Sequence, residues 1–159
     1  MEAIGLLDRF GSHPAQVEQM TFEELAGLEQ EHPPKVARRK TRALSAPVSG
    51  RHQDVRLCLT VILKAYAELT DAGLVRDAPF EVRLSPGIIY QPDIVFIASS
   101  NFERVYDTYL DGPPDIIVEV LTPESTALDR GEKFVAYEQG GVREYWLVHP
   151  TDRIVTIYW

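Results

Sequence analysis

Two acidic residues and one lysine carry the chemistry that this sequence suggests. Glu119 interrupts the apolar run 116–121, and Asp93 directly precedes the apolar run 94–97. An ionised carboxylate is rarely buried without a partner, because its desolvation is costly. If the two runs are neighbouring strands, their carboxylates and Lys133 would form a hard-cation site with a positive charge beside it. We therefore expect Asp93 and Glu119 to lie close enough to share one cation, and at least one of them to have a raised pKa.

The elements that must position these residues follow from the local patterns. The run around Glu119 is rich in β-branched residues and is bounded by Pro114 and Pro123, which predicts a short buried strand. The run after Asp93 predicts a second strand, and a helix beginning at Asp129 is expected to carry Lys133. On that helix Tyr137 lies one turn after Lys133, on the same face.

A second Pro-Asp pair, Pro114-Asp115, precedes the strand of Glu119. Asp115 and Glu119 would share a face of that strand but lie about 13 Å apart, at about 3.3 Å per residue. That separation is too large for one metal ion, so Asp93 is the better candidate ligand.

The rest of the chain predicts a helix, several strands and the turns between them. Apolar residues recur at helical spacing from Val55 to Leu69, and Gly73 is expected to end that helix. The segment from Thr21 matches a capping box and predicts a helix to about Gln30. Strands are predicted over 79–84, 144–148 and 153–159.

Composition and charge limit the class of protein. The 159 residues suffice for one domain, which we divide into an N-terminal helical and basic segment, 1–46, and a core, 47–159. The net charge of −8 argues against a general nucleic-acid coat protein. No apolar stretch is long enough to span a membrane and no leader pattern is present, so we expect a cytoplasmic protein.

A basic run in the N-terminal segment inverts the local charge. It holds five basic residues in eight: Lys35, Arg38, Arg39, Lys40 and Arg42. They could contact a nucleic-acid backbone, although a solvated loop or edge strand is the commoner reason for such a run.

The order of these motifs resembles the Uma-type restriction endonuclease family of the PD-(D/E)XK nuclease superfamily, from about Pro47 to Trp159. The motifs that carry the resemblance are Pro92-Asp93, Glu119-Val120-Leu121, Asp129-Arg130 with Lys133 and Tyr137, and Gly141-Val142-Arg143-Glu144-Tyr145-Trp146. The resemblance implies an α/β fold with a restriction-endonuclease-like mixed central sheet flanked by helices. It also implies hydrolysis of DNA phosphodiester bonds with Mg²⁺ or Mn²⁺.

The resemblance further implies roles for individual residues. Asp93 and Glu119 would bind the metal, with the carbonyl of Val120 as a third ligand. The superfamily lysine is replaced by Leu121, and Lys133 on the following helix is the candidate in its place. Asp129, Tyr137, His52 and Gln53 would surround these groups. For His52, near the start of a helix, a surface hydrogen-bonding role is the favoured expectation.

Two features of the chain support an alternative function. Family members carry an acidic residue before the first long helix, whereas this sequence has none between Glu31 and Asp54. Members also continue with further strands, so either this chain is a short member or another subunit, as in a homodimer, completes its last edge. The alternative is a catalytically inactive nuclease-fold protein that binds nucleic acid or another protein.

Overall fold

The computed structural model describes the backbone of residues 17–21 and all of residues 49–159. The helices are α1 (Gly50–Thr70), α2 (Thr126–Arg130) and α3 (Glu132–Gly140), with a 3₁₀ helix over Ser99–Arg104. The strands are β1 (Val17–Thr21), β2 (Gly73–Asp77), β3 (Glu81–Ser85), β4 (Ile88–Tyr90), β5 (Ile94–Ala98), β6 (Tyr109–Asp111), β7 (Ile116–Val120), β8 (Glu144–His149) and β9 (Ile154–Tyr158).

The strands form two sheets. The larger has the order β1-β9-β8-β7-β5-β2, and the smaller has the order β4-β3-β6. In the larger sheet β7 and β8 are parallel, whereas the other neighbouring strands are antiparallel. The chain therefore has the α/β fold with a mixed central sheet that the sequence predicts.

Two apolar layers hold the sheet between helices. On one face α1 packs on a core that includes Leu59, Leu63, Ala67, Val75, Ile94, Phe96, Ile116, Val118, Trp146 and Val148. On the other face, the small sheet and α3 pack on a core that includes Val82, Tyr90, Val95, Ile97, Leu110, Ile117, Tyr137, Tyr145 and Leu147. Because side chains alternate along a strand, the odd-numbered residues of β5 and β7 face α3 and the small sheet.

The long helix α1 differs from its prediction in phase and in its end. Its buried side includes Leu59, Leu63 and Ala67, whereas Leu69 is 86% exposed. The C-cap is Asp71, which adopts the left-handed conformation at φ 52°. Gly73 instead begins β2, where an added Cβ would lie only 2.2 Å from the carbonyl oxygen of Ile97. The glycine is thus required by close strand packing rather than by a helix cap.

The last strand of the sheet has a neighbour within the same chain. β1 pairs with β9 along its whole length, from Val17 opposite Tyr158 to Thr21 opposite Ile154. This corrects the expectation that another subunit completes that edge; a homodimer stays a prediction. The predicted helix to Gln30 and the basic run 35–42 lie outside the described residues. Among the described helices, none is long and apolar enough to cross a membrane.

Candidate active site

Asp93 and Glu119 are brought together by strand pairing. β5 and β7 are antiparallel, with Ile94 opposite Val118, and one further step in this register places Asp93 opposite Glu119. Directly opposed residues of an antiparallel pair have Cβ atoms about 4.5–5.5 Å apart. Both carboxylates are almost fully buried, at 1% and 2% exposure. The pair lies at the end of the sheet where β5 begins and β7 ends.

The surroundings of Asp93 leave one of its oxygens available. Oδ2 accepts a hydrogen bond from the backbone N–H of Val120 at 3.3 Å. Oδ1 is buried and has no hydrogen-bond partner among the described residues. A buried carboxylate oxygen normally has a partner, so Oδ1 is a free ligand position. The backbone of Val120 lies beside the same carboxyl group, which is compatible with its predicted place in the site.

His52 occupies a different environment from the expected one. Its side chain is buried, and Nε2 lies 3.9 Å from Asp93 Oδ2. The favoured prediction of a surface residue is therefore wrong. Ser49 caps α1 by accepting from the His52 N–H at 3.2 Å, which fixes the first turn of the helix against the end of the sheet. The neighbouring Gln53 is exposed.

Glu119 accepts two hydrogen bonds from α3. Lys133 Nζ donates to Glu119 Oε1 at 2.9 Å, and the Tyr137 hydroxyl donates to the same oxygen at 2.7 Å. Lys133 and Tyr137 are both buried and lie one helical turn apart. The ammonium group of Lys133 therefore points at Glu119, as the family resemblance implied, and Lys133 and Tyr137 share a face, as their spacing predicts.

Lys133 has a second acidic partner. Its Nζ forms an ion pair with Asp129 Oδ1, and both side chains are buried. Asp129 lies in α2, which ends at Arg130, and α3 starts after a break at Gly131. The single helix predicted from Asp129 is thus two helices. An added Cβ at Gly131 would lie 2.8 Å from the carbonyl oxygen of Ala127, so glycine permits this tight junction.

Aromatic rings fix the position of the Tyr137 hydroxyl. Tyr90 and Tyr145 pack edge-on against the Tyr137 ring, with centroids 5.2 and 4.9 Å away. The Tyr145 hydroxyl donates to the backbone carbonyl of Asp129 at 3.0 Å. Neither Tyr90 nor Tyr145 was predicted to lie at the site. The Gly-Val-Arg-Glu-Tyr-Trp motif contains Tyr145 and could have indicated that this residue lies near the site.

Burial and charge crowding shift the ionisation of these groups. Burial raises the pKa of Asp93 well above its usual range, and the nearby charge of Glu119 raises it further. Burial also raises the pKa of Glu119, to about 7, although Lys133 opposes that rise. For Lys133, burial lowers the pKa, but Glu119 and Asp129 outweigh that effect and raise it. Both carboxyl pKa values are thus raised, as predicted.

The residues present suit a hard divalent cation. Asp93, Glu119 and Asp129 bring three buried carboxylates, and Lys133 brings one positive charge. Ionised together, these four groups would carry two uncompensated negative charges, which one divalent cation would balance. No set of three His, Cys, Asp or Glu side chains within the described residues is arranged to hold a metal. The protein would therefore supply the two carboxylates and a carbonyl, and waters would complete the shell, as is common for Mg²⁺.

Asp115, the other acid considered as a ligand, is not brought to the site. Asp115 lies at the opposite end of β7, where its Oδ2 accepts from the Ala98 N–H at 2.6 Å and from Asn101 Nδ2 at 2.9 Å. It therefore holds the 3₁₀ helix to the sheet. The five basic residues of the run 35–42 lie outside the described part of the chain.

Comparisons with known proteins identify the family and the fold of this chain. The Uma2 family model, described as "Putative restriction endonuclease", matches residues 21–159. A similar solved structure is that of "a putative nuclease belonging to DUF820" from Anabaena variabilis, with a TM-score of 0.63 and 16% sequence identity. The likeness covers 87% of this chain and 79% of that chain and shows a shared fold. No curated protein matches the chain in sequence.

Proposed function

Since the chain belongs to the Uma2 family, we propose that it is a metal-dependent endonuclease that hydrolyses phosphodiester bonds in DNA. The observation that carries the proposal is the opposition of Asp93 and Glu119, with the Lys133 ammonium 2.9 Å from Glu119. Two opposed acids and an adjacent buried lysine suit phosphodiester cleavage. That reaction needs a cation bound to the phosphate and a second group that stabilises the developing negative charge or orients the attacking water.

Asp93, Glu119 and the Val120 carbonyl would hold the cation, Mg²⁺ or Mn²⁺. The free Oδ1 of Asp93 and the uncompensated negative charge support this assignment. When bound, the cation would polarise the scissile phosphate and favour ionisation of a water. The rigid strands β5 and β7 would keep the two carboxylates in place throughout turnover.

Lys133 would act from the side of Glu119 that faces α3. Its ammonium group can orient the attacking water or offset the negative charge that develops on the phosphate. The Tyr137 hydroxyl donates to the same Glu119 oxygen and so fixes the direction in which that carboxylate points. Asp129 forms the second ion pair with Lys133 and so helps to fix the position of its ammonium group. His52, buried against Asp93, would restrict the rotation of that carboxylate.

The direct test is cleavage of plasmid DNA in the presence and absence of Mg²⁺ or Mn²⁺. Glu119→Gln and Asp93→Asn should abolish cleavage, because each removes a charged ligand while keeping the side-chain shape. The matched control is Glu138→Gln, which changes an exposed acid of α3 and should leave the rate unchanged. Cleavage that survives Glu119→Gln, or that needs no divalent cation, would count against the proposal.

A second candidate is a catalytically inactive nuclease-fold protein that binds nucleic acid or another protein. The lack of an acidic residue between Glu31 and Asp54 favours it, because it leaves two carboxylates and a carbonyl as the protein ligands. DNA binding by the parental chain, without cleavage under any divalent cation, would support this candidate. The basic run 35–42 would then be the first segment to mutate.

A further inference from the structure

Arg130 and His149 meet at the rim of the candidate active site. β7 and β8 are parallel, with Glu119 beside Leu147 and Val120 beside Val148. His149, the last residue of β8, therefore lies on the same face as Leu147 and Glu119. It is two residues further along, about 6.6 Å at about 3.3 Å per residue. His149 therefore lies between the buried carboxylates and the solvent, and its side chain is half-buried.

Arg130 reaches the same place from α2. It directly follows Asp129, which pairs with Lys133 in the site, and its side chain is exposed. Its Nη2 lies 3.2 Å from His149 Nε2, within hydrogen-bond distance. A guanidinium group is always charged and can only donate, so His149 Nε2 is the acceptor and Nδ1 carries the ring proton.

This contact places two potential cations side by side in a chain of net charge −8. Burial lowers the pKa of His149, and the Arg130 charge lowers it further. Asp152 opposes that effect only in part: its Oδ2 is 3.9 Å from His149 Nδ1, and its side chain is 68% exposed. The Arg130 guanidinium keeps further N–H groups beyond the one directed at His149. An anion at this rim would accept hydrogen bonds from these N–H groups and would pair with the Arg130 charge.

We propose that Arg130 and His149 form a subsite for a phosphate of the nucleic-acid backbone, next to the phosphate that is cleaved. The inference rests on the proposed nuclease function. With the spacing of about 4.8 Å between neighbouring strands included, Glu119 and His149 are about 8 Å apart at their Cα atoms, close to the step between neighbouring phosphates along one DNA strand. A guanidinium group can bind two phosphate oxygens at once, which suits a phosphate better than a monodentate ligand. Binding at this subsite would position the DNA strand so that the neighbouring phosphate lies beside Asp93 and Glu119.

The first test measures binding of a short DNA duplex by fluorescence anisotropy, with a chelator present so that no cleavage occurs. Arg130→Ala should weaken binding and reduce the slope of log affinity against log salt by about 1, because one phosphate contact is lost. His149→Ala should weaken binding as well. Arg76→Ala is the matched control, since Arg76 is an exposed arginine on β2, at the other edge of the large sheet. An unchanged slope in Arg130→Ala would overturn the proposal.

The second test uses inorganic phosphate as the probe and follows the His149 ring signals by NMR. Phosphate should shift those signals in the parental chain and not in Arg130→Ala. If phosphate shifts them but the parental chain binds no DNA, the nucleic-acid assignment is overturned and a free-phosphate site remains. If DNA binds normally to both rim variants, the subsite falls while the nuclease proposal stands. If neither ligand binds, the subsite proposal falls, and the nuclease proposal is decided by the cleavage test with Mg²⁺ or Mn²⁺.

Discussion

Asp93, the residue directly before β5, lies opposite Glu119 when the antiparallel register of β5 and β7 is continued by one step. Glu119 is held within β7 and Asp93 by the start of β5, so their separation is fixed when the two strands pair. The strands thus hold two mutually repelling groups together before any cation arrives. The pH dependence of the protein should follow from that arrangement.

Cation affinity should depend on pH through both proposed ligands: Asp93, whose pKa burial raises well above its usual range, and Glu119. The pKa of Glu119 is raised to about 7 by burial, so below that pH the cation must displace a proton. Affinity for Mg²⁺ should therefore fall as the pH drops below about 7, and binding should release protons. Calorimetry in buffers of different ionisation enthalpy measures both. Constant affinity between about pH 5.5 and about pH 8 would contradict this.

The cation-free protein should lose stability as the pH rises. A group whose pKa is higher in the folded than in the unfolded state stabilises the fold at low pH. For Glu119 this stabilisation is complete below the unfolded pKa of 4.5 and is lost as the pH rises past the folded pKa of about 7. The loss attributable to Glu119 is on the order of 3 kcal/mol. Urea unfolding in the presence of a chelator measures the free energy of unfolding at each pH. That free energy should fall with rising pH in the parental chain and in Glu138→Gln, and should fall less in Glu119→Gln. Equal slopes for all three would refute the assignment.

Lys133→Met should lower stability as well as abolish cleavage. The methionine keeps the apolar stem but leaves Glu119 and Asp129 buried without their cation. Breaking a buried ion pair from one side costs about 3–5 kcal/mol. Adding Asp129→Asn to this variant should restore part of the free energy of unfolding, because one unpaired charge is removed. A Lys133→Met chain as stable as the parent at neutral pH would show that the ion pairs contribute little.

Asp129→Asn should weaken cation binding although Asp129 is not a proposed ligand. Without Asp129, Lys133 is held by Glu119 alone, and its charge competes more strongly with the cation. Changes in groups that orient a ligand typically cost about 10–100-fold in metal affinity. The double variant Asp129→Asn, Lys133→Met should recover affinity, because the competing charge is gone. If the single variant binds Mg²⁺ as tightly as the parent does, Asp129 acts on something other than Lys133.

Local sequence patterns were sufficient to predict the strands that carry the acids. The runs after Asp93 and around Glu119 are short, β-branched and bounded by proline or turn residues, so strand formation follows from the sequence alone. Their direct opposition depends on sheet order, which no local pattern contains. The family resemblance and the lack of any other lysine after Lys64 led to the prediction that Lys133 points toward Glu119, and its Nζ lies 2.9 Å from Glu119 Oε1.

The wrong or missed predictions concern features that depend on contacts between distant parts of the chain. His52 lies three residues before Val55, on the face of the predicted apolar stripe, but a histidine in the first turn of a helix is commonly exposed, and only the docking of α1 on the sheet brings it to Asp93. The strand β2 was missed because Gly73, Arg76 and Asp77 make its sequence unlike a strand. The break at Gly131 was missed because a single glycine is tolerated in many helices, and the junction becomes visible only with both helices packed.

The pairing of β1 with β9 bears on how the protein can be shortened. A chain cut to residues 47–159 would keep every group of the candidate site but would lose β1, leaving one side of β9 with unsatisfied backbone donors and acceptors. Such a bare edge is a template for strand addition from another molecule. The shortened chain should therefore self-associate or aggregate through β9. A dimer of the shortened chain would then result from the exposed edge of β9 and would not show that the 159-residue chain assembles.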